Sequence, residues 1–193
     1  MELVHYLSGR TIGFRAPVLA DAAEAVRWLP GPFPHYTVHT ERLLRDEETD
    51  PWANSGKTRL VAVEHDSGRI VGGAQVERQD RRVAWITLSF APDLPRPERE
   101  RCHGEALGIL VPWLRDELGM MTITTAIGDD EPAVKAAAEA VGMRVAVRLR
   151  EHLARPGGRV DLLWLEALNP RRWAGTPRAE GEALTHPGST HHA

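Results

Sequence analysis

One run of changing hydrophobic period, from Arg81 to Leu168, limits what this chain can fold into. It reads strand, arginine-bearing loop, amphipathic helix, strand, short helix, strand, hairpin and strand. Val83 to Phe90 forms the first strand of the run. Ala106, Leu107, Leu110, Val111, Leu114 and Leu118 then fall on one helical face. Pro97, Glu98 and Glu100 suit that helix's first turn, and Gly119 stops it. Met121 to Ile127 is dense in Thr and Ile and predicts a buried strand. Pro132 opens a second helix that Gly142 closes. Met143 to Leu153 and Val160 to Leu168 flank the turn Arg155-Pro-Gly-Gly-Arg as a hairpin.

The upstream half supplies an antiparallel meander. Thr11 to Ala16 is a short strand ended by Pro17. Ala22, Ala25, Val26 and Leu29 recur at helical spacing up to Pro30-Gly-Pro, and Gly31 to Tyr36 is a loop. A second helix fits Val38 to about Glu48, with Thr37 as a cap. Asp50 to Gly56 is a further loop. Lys57 to Glu64, Arg69 to Glu77 and Val83 to Phe90 are strands joined by Asp66-Ser-Gly-Arg and Gln79-Asp-Arg-Arg. The pattern predicts an α+β, three-layer fold. Its central sheet is mixed and mostly antiparallel, with helices on both faces and a parallel pair across the long helix.

The 193 residues predict one domain over 1–168 and a mobile tail over 169–193, where three prolines and three glycines replace aliphatic residues. A net charge of -3 gives no electrostatic case for nucleic acid or an anionic membrane. Cys102 is the sole cysteine, so an internal disulfide is excluded. No signal pattern opens the chain, and no apolar run approaches the roughly 20 residues of a membrane span. A soluble cytoplasmic protein is expected. His186, His191 and His192 lie in the tail without carboxylate or cysteine partners, so no metal site is expected.

Several residues, in order, resemble the GNAT superfamily of acyl-CoA N-acyltransferases over about Leu7 to Leu168. They are Ile12-Gly-Phe-Arg-Ala-Pro with Asp21-Ala, Arg69-Ile-Val-Gly-Gly, Gly104-Glu-Ala-Leu, Val141-Gly-Met-Arg, and Leu149-Arg-Glu-His with Gly158-Arg-Val-Asp-Leu-Leu-Trp-Leu. The closing hairpin is the most specific match. It points to the branch that acetylates the N-terminal amine of ribosomal proteins. The resemblance implies acyl transfer from acetyl-CoA or another acyl-CoA to a small-molecule or peptide amine, by direct attack and without metal. A homodimer is an allowed assembly.

By that resemblance the pantetheine arm lies along Leu88, Ser89 and Phe90, and the pyrophosphate at the loop carrying Arg96, Arg99, Arg101, Cys102, His103 and Gly104. Alignment on Glu105-Ala-Leu sets the family's Q/R-x-x-G-x-G/A pattern on Glu98 to His103, with Arg101 and His103 at the glycine positions. A shift of one residue instead favours Arg99 and Gly104. The arginines read either as phosphate ligands or as a solvated helix start neutralised by Glu98, Glu100 and Glu105. Where the family has Asn and Tyr near the second helix, this chain has Asp129, Asp130, Glu131 and Ala136 to Ala138. Candidates for taking the amine proton are Glu77, Ser89 and His152. Phe33, His35, Tyr36 and Trp52 are candidate acceptor contacts in the loops that flank the second helix. Trp85, Trp113 and Trp164, on regular elements, are expected in the core. The glycine-poor loop leaves a second reading open: the same scaffold as a binding or regulatory module, or with another ligand.

Overall fold

The computed structural model describes residues 6–29, 36–49, 56–79 and 82–173. Its strands are β1 (Leu7–Ser8), β2 (Ile12–Arg15), β3 (Lys57–Glu64), β4 (Ile70–Gln79), β5 (Val83–Phe90), β6 (Thr122–Gly128), β7 (Arg144–Arg155) and β8 (Gly158–Leu168). Its helices are α1 (Ala22–Ala25), α2 (Thr37–Thr49), α3 (Arg96–Pro112), α4 (Pro132–Ala140) and α5 (Pro170–Trp173). The strands form one sheet in the order β1-β2-β3-β4-β5-β6-β8-β7. Only β5 and β6 pair in parallel, and α3 makes the crossover between them.

Alternation along the strands sorts side chains onto two faces. Leu60, Ala62, Ala74, Val76, Ala84 and Ile86 face α3 and α4, joining Leu107, Leu110, Leu114 and Val134 in the main core. Val61 and Val63 face the other way, onto Ala25, Trp28 and Leu29. Leu107, Leu110 and Leu114 have no exposed surface. Each such side chain contributes ~1.5–3 kcal/mol of burial. The expected three layers are therefore present.

The opening motif is a structural staple. Arg15 donates to both carboxylate oxygens of Asp21 at 2.7 and 2.8 Å, and the Val18 amide donates to the same carboxylate at 2.8 Å. Both side chains are about 6% exposed. The pair fixes the turn from β2 into the first helical segment.

Three local features depart from the sequence pattern. The first helical segment is shorter than expected, a 3-10 turn at Leu19–Asp21 followed by α1. The long helix ends in a π-type turn at Trp113–Glu117, directly after Pro112. That proline has no N–H to give the preceding turn, and the ladder widens instead of stopping. Most consequentially, α3 begins at Arg96. The connection from β5 is only Ala91 to Pro95, so the expected arginine-bearing loop is helix.

Asn169, just after β8, is buried and donates to the Arg115 carbonyl at 2.7 Å. The remainder of the proposed tail, 174–193, lies outside the described residues.

Candidate active site

The site begins where a seam opens. Residues of β5 and β6 are registered from Val83↔Thr122 to Ile86↔Thr125 and no further. Beyond that point β5 continues against β4 through Phe90, while β6 continues against β8 through Gly128. The Ile86 carbonyl faces β6, where it accepts the Thr125 hydroxyl at 2.9 Å, and the Ala91 amide faces β4, where it donates to Val71 at 2.9 Å. Backbone direction alternates along a strand. Leu88 and Phe90 therefore present their N–H and C=O groups toward the gap. Such an edge can pair with an extended amide-bearing ligand as a further strand would.

The N-termini of α3 and α4 flank the top of this gap. Pro95 caps α3 and Pro97 is its second residue, so neither offers an amide. Arg96 and Glu98 supply the two N–H groups that remain before the first helical bond, Arg99 to Pro95. Carboxylates surround that end. Glu98 accepts Arg69 at 2.8 Å and Glu100 accepts Arg96 at 2.6 Å. Arg96 also donates to the Asp130 carbonyl, joining the two helix starts. Arg155 reaches Asp130 and Glu131 from the β7–β8 hairpin, at 3.4 and 3.6 Å.

Of the other predicted coenzyme contacts, Arg101, Cys102, His103 and Gly104 are engaged elsewhere. Arg101 donates to the Thr11 hydroxyl and lies 3.8 Å from Glu64 and 3.7 Å from Glu105. Cys102 is fully buried, and burial pushes its thiol pKa up, the reverse of an activated nucleophile. His103 packs against Phe90, ring centroids 5.8 Å apart, and its Nε2 has no hydrogen-bond partner. Burial lowers its pKa to about 4, so it is a neutral imidazole. A Cβ on Gly104 would sit 2.8 Å from Ala137, so this glycine serves the packing of α3 on α4. The Arg99 side chain takes part in none of these hydrogen bonds or ion pairs. Glu105 lies in the third turn of α3, past the helix start with which the sequence reading grouped it. It accepts from the Thr11 amide at 2.6 Å, the Thr11 hydroxyl and the Ile12 amide at 3.2 Å. Burial opposes its ionisation, but these bonds prevail and hold its pKa below the usual carboxylate range.

The sheet face opposite α3 carries the second half of the site. Gln75 and Glu77 on β4 lie opposite Thr87 and Trp85 on β5. Arg59 donates to Gln75 at 3.1 Å, Gln75 to Glu77 at 2.5 Å, and Lys57 lies 3.1 Å from Glu77. Trp85 donates to the Thr87 hydroxyl at 3.2 Å and meets Trp164 edge-on, centroids 5.2 Å apart. Glu77, Gln79, Val83 and Trp85 line a pocket of about 300 Å³. Sequence reasoning placed Trp85 and Trp164 in the core, yet Trp164 is 40% exposed. The same period-two count that faces Glu77 outward also faces Trp85 outward, and that signal was legible.

The three proton-acceptor candidates are not brought together. Ser89 shares a face with Glu77, but its registered partner Gly73 lies four residues up β4, about 13 Å along the strand. His152 is exposed on β7, the sheet's edge strand. Tyr36 is 71% exposed and meets His39 edge-on at 5.9 Å. Phe33, His35 and Trp52 lie outside the described residues. A groove of about 600 Å³ between β1 and α3 includes Tyr6, Leu7, Ile109 and Trp113. None of its lining residues belongs to β5 or β6, and its Glu105 is already committed. Among the described residues no cluster of His, Cys, Asp and Glu is placed to hold a metal ion, and no helix is long and apolar enough to cross a membrane.

No family model and no curated protein matches the chain. Solved structures do. An assigned acetyltransferase from Sphaerobacter thermophilus DSM 20745 is 34% identical, with a TM-score of 0.69 and coverage of 89% of this chain and 99% of that one. A GNAT-family acetyltransferase from Bacillus anthracis shares the fold at 11% identity and a TM-score of 0.61, over 84% and 98% of the two chains. A spermidine/spermine N-acetyltransferase from Vibrio cholerae does so at 14% identity and 0.62, over 85% and 96%. With the opened β5–β6 seam, the α3 crossover and a 34%-identical acetyltransferase relative that covers 89% of it, the chain belongs to the GNAT superfamily of acetyltransferases.

Proposed function

We propose that the protein transfers an acetyl or other acyl group from an acyl-CoA thioester to a primary amine by direct attack. The observation that carries this reading is the seam. Leu88 and Phe90 offer unpaired backbone groups where a pantetheine arm can pair, next to a polar and aromatic sheet face. The arm lies in the gap, with its thioester near Ile86 and Thr87. The amine approaches over the face that carries Glu77, Trp85 and Trp164. Its nitrogen bonds to the carbonyl carbon as the C–S bond breaks. The proton it sheds passes to Glu77, directly or through water, and the thiolate leaves.

Glu77 suits the task better than Ser89 or His152. It lies beside Trp85, one residue from the end of the seam, and Gln75 orients it. Tyr36, with Phe33, His35 and Trp52, remains the candidate acceptor boundary. The similar Vibrio cholerae enzyme acts on spermidine, and one such enzyme forms a dodecamer. An amine acceptor and self-association are the corresponding proposals here. The ribosomal-protein branch, suggested by the closing hairpin, makes a peptide N-terminus a second acceptor class. We place the protein in the cytoplasm, where a lone buried thiol stays reduced.

The test is thiol release. Acetyl-CoA is incubated with the protein and a panel of polyamines, amino acids and short peptides. Acceptor-dependent thiol release above the protein-free rate is expected. Its absence across the panel would favour the module reading, to which the altered start of α3 lends weight.

A further inference from the structure

We infer that the chain recognises its acyl donor through the pantetheine arm alone, so that a thioester lacking the nucleotide pyrophosphate serves as well as acyl-CoA. The inference rests on the acyl-transfer reading above. The two halves of the donor meet unlike surroundings. The arm has a built place, the backbone edge at Leu88 and Phe90 beyond the last registered pair of the seam.

The pyrophosphate does not. Anion binding at a helix start needs converging amides and a favourable field. Pro95 and Pro97 leave only the Arg96 and Glu98 amides there. Glu98, Glu100 and Asp130 set negative charge at the same end, and Arg96 is spent on Glu100 and Asp130. A glycine-lined loop would let an anion approach closely. Here the corresponding residues are two turns of helix. Arg101 serves Thr11 and Glu64 on the β2–β3 side, Cys102 is in the core, and His103 fills its space with a half-buried ring against Phe90. That ring is neutral, so it brings no charge to a phosphate. Two charge-assisted hydrogen bonds to a pyrophosphate would favour acyl-CoA by ~10²-fold or more. No such set is present among the described residues at the start of α3, where no hydrogen bond or ion pair engages the Arg99 side chain.

Calorimetric titration with CoA, pantetheine and adenosine 3′,5′-bisphosphate, paired with steady-state rates on acetyl-CoA and S-acetylpantetheine, tests this. CoA and pantetheine should bind within about tenfold of each other, and the two thioesters should react with kcat/KM within about tenfold. The bisphosphate should give no heat at millimolar concentration. Three results would overturn the inference: a preference for CoA of about a hundredfold, failure of pantetheine to bind, or an Arg99→Ala variant that loses CoA affinity about tenfold while keeping pantetheine. Equal binding without thiol release from either thioester supports the inference and sinks the acyl-transfer reading instead.

Discussion

Thr125 donates its hydroxyl to the Ile86 carbonyl at 2.9 Å, at the last registered pair of the β5–β6 seam. Thr125 is 1% exposed. Its bond therefore lies where the sheet stops being continuous and the gap begins. Thr125→Val keeps the shape and removes the donor. The loss should be about 1 kcal/mol, or ~2–4 °C in Tm. The KM for the thioester should rise, because the carbonyl next to the gap is no longer pinned. Thermal denaturation and donor titration check both effects. An unchanged Tm and KM together would remove Thr125 from the seam's architecture.

Arg15 and Asp21 form a second relationship, remote from the seam. Breaking a buried pair by removing one partner typically costs 3–5 kcal/mol, because the other charge stays buried. Asp21→Ala should therefore lower Tm by ~10 °C or more. The double variant Arg15→Met with Asp21→Leu should recover most of that loss, since it leaves no buried charge. Failure of the double variant to recover would mean that Arg15 is needed for more than pairing.

These two pairs mark what the sequence could and could not reveal. Element order was legible because strand and helix periods differ, and the positions of Pro132, Gly119 and Gly142 agreed with the periods. Gly119 and Gly142 adopt φ of 65° and 86°, the left-handed backbone at a helix end. The start of α3 was harder. Arg96 to His103 has no apolar stripe, so periodicity was silent. Pro97 correctly pointed to a first turn, while the family pattern drew the eye to a loop. The pairing of Arg101 with Thr11 and Glu64 spans three elements and leaves no local trace. The exposure of Trp164 is similarly a matter of which helices cover the sheet. α1 and α2 pack over β3 and β4, leaving the β8 side of that face open.

His103 makes a prediction about pH. An imidazole in the unfolded chain titrates near 6.5, and in the fold burial brings it to about 4. Above the higher value both states are neutral and stability is at its full value. As pH falls from about 6.5 to about 4, the unfolded state takes up a proton that the native state refuses. Stability then declines, with a slope approaching 1.4 kcal/mol per pH unit. Glu105, whose pKa is depressed, adds its own loss only as pH falls below the ordinary carboxylate range. Urea denaturation at pH 7, 6, 5 and 4.5 should show the decline in the natural chain and a shallower one in His103→Leu. Identical slopes would exclude His103 as the source.

Glu77 carries the catalytic prediction. A carboxylate that takes the amine proton typically contributes 10²–10⁴-fold to the rate. Glu77→Gln keeps the size of the side chain and removes its capacity to accept the proton. Its side chain is about one-third exposed and its pairing with Lys57 lies near the surface, so the fold should tolerate the change. kcat should fall about a hundredfold or more, with the thioester's Kd unchanged. Trp164→Ala, by contrast, should raise KM for the acceptor and spare kcat at saturation, as expected for a wall that holds the amine without touching its proton. If Glu77→Gln retains the full rate, the base lies elsewhere. Ser89 would then be tested next, because it shares the face and lies beside the unpaired end of β5.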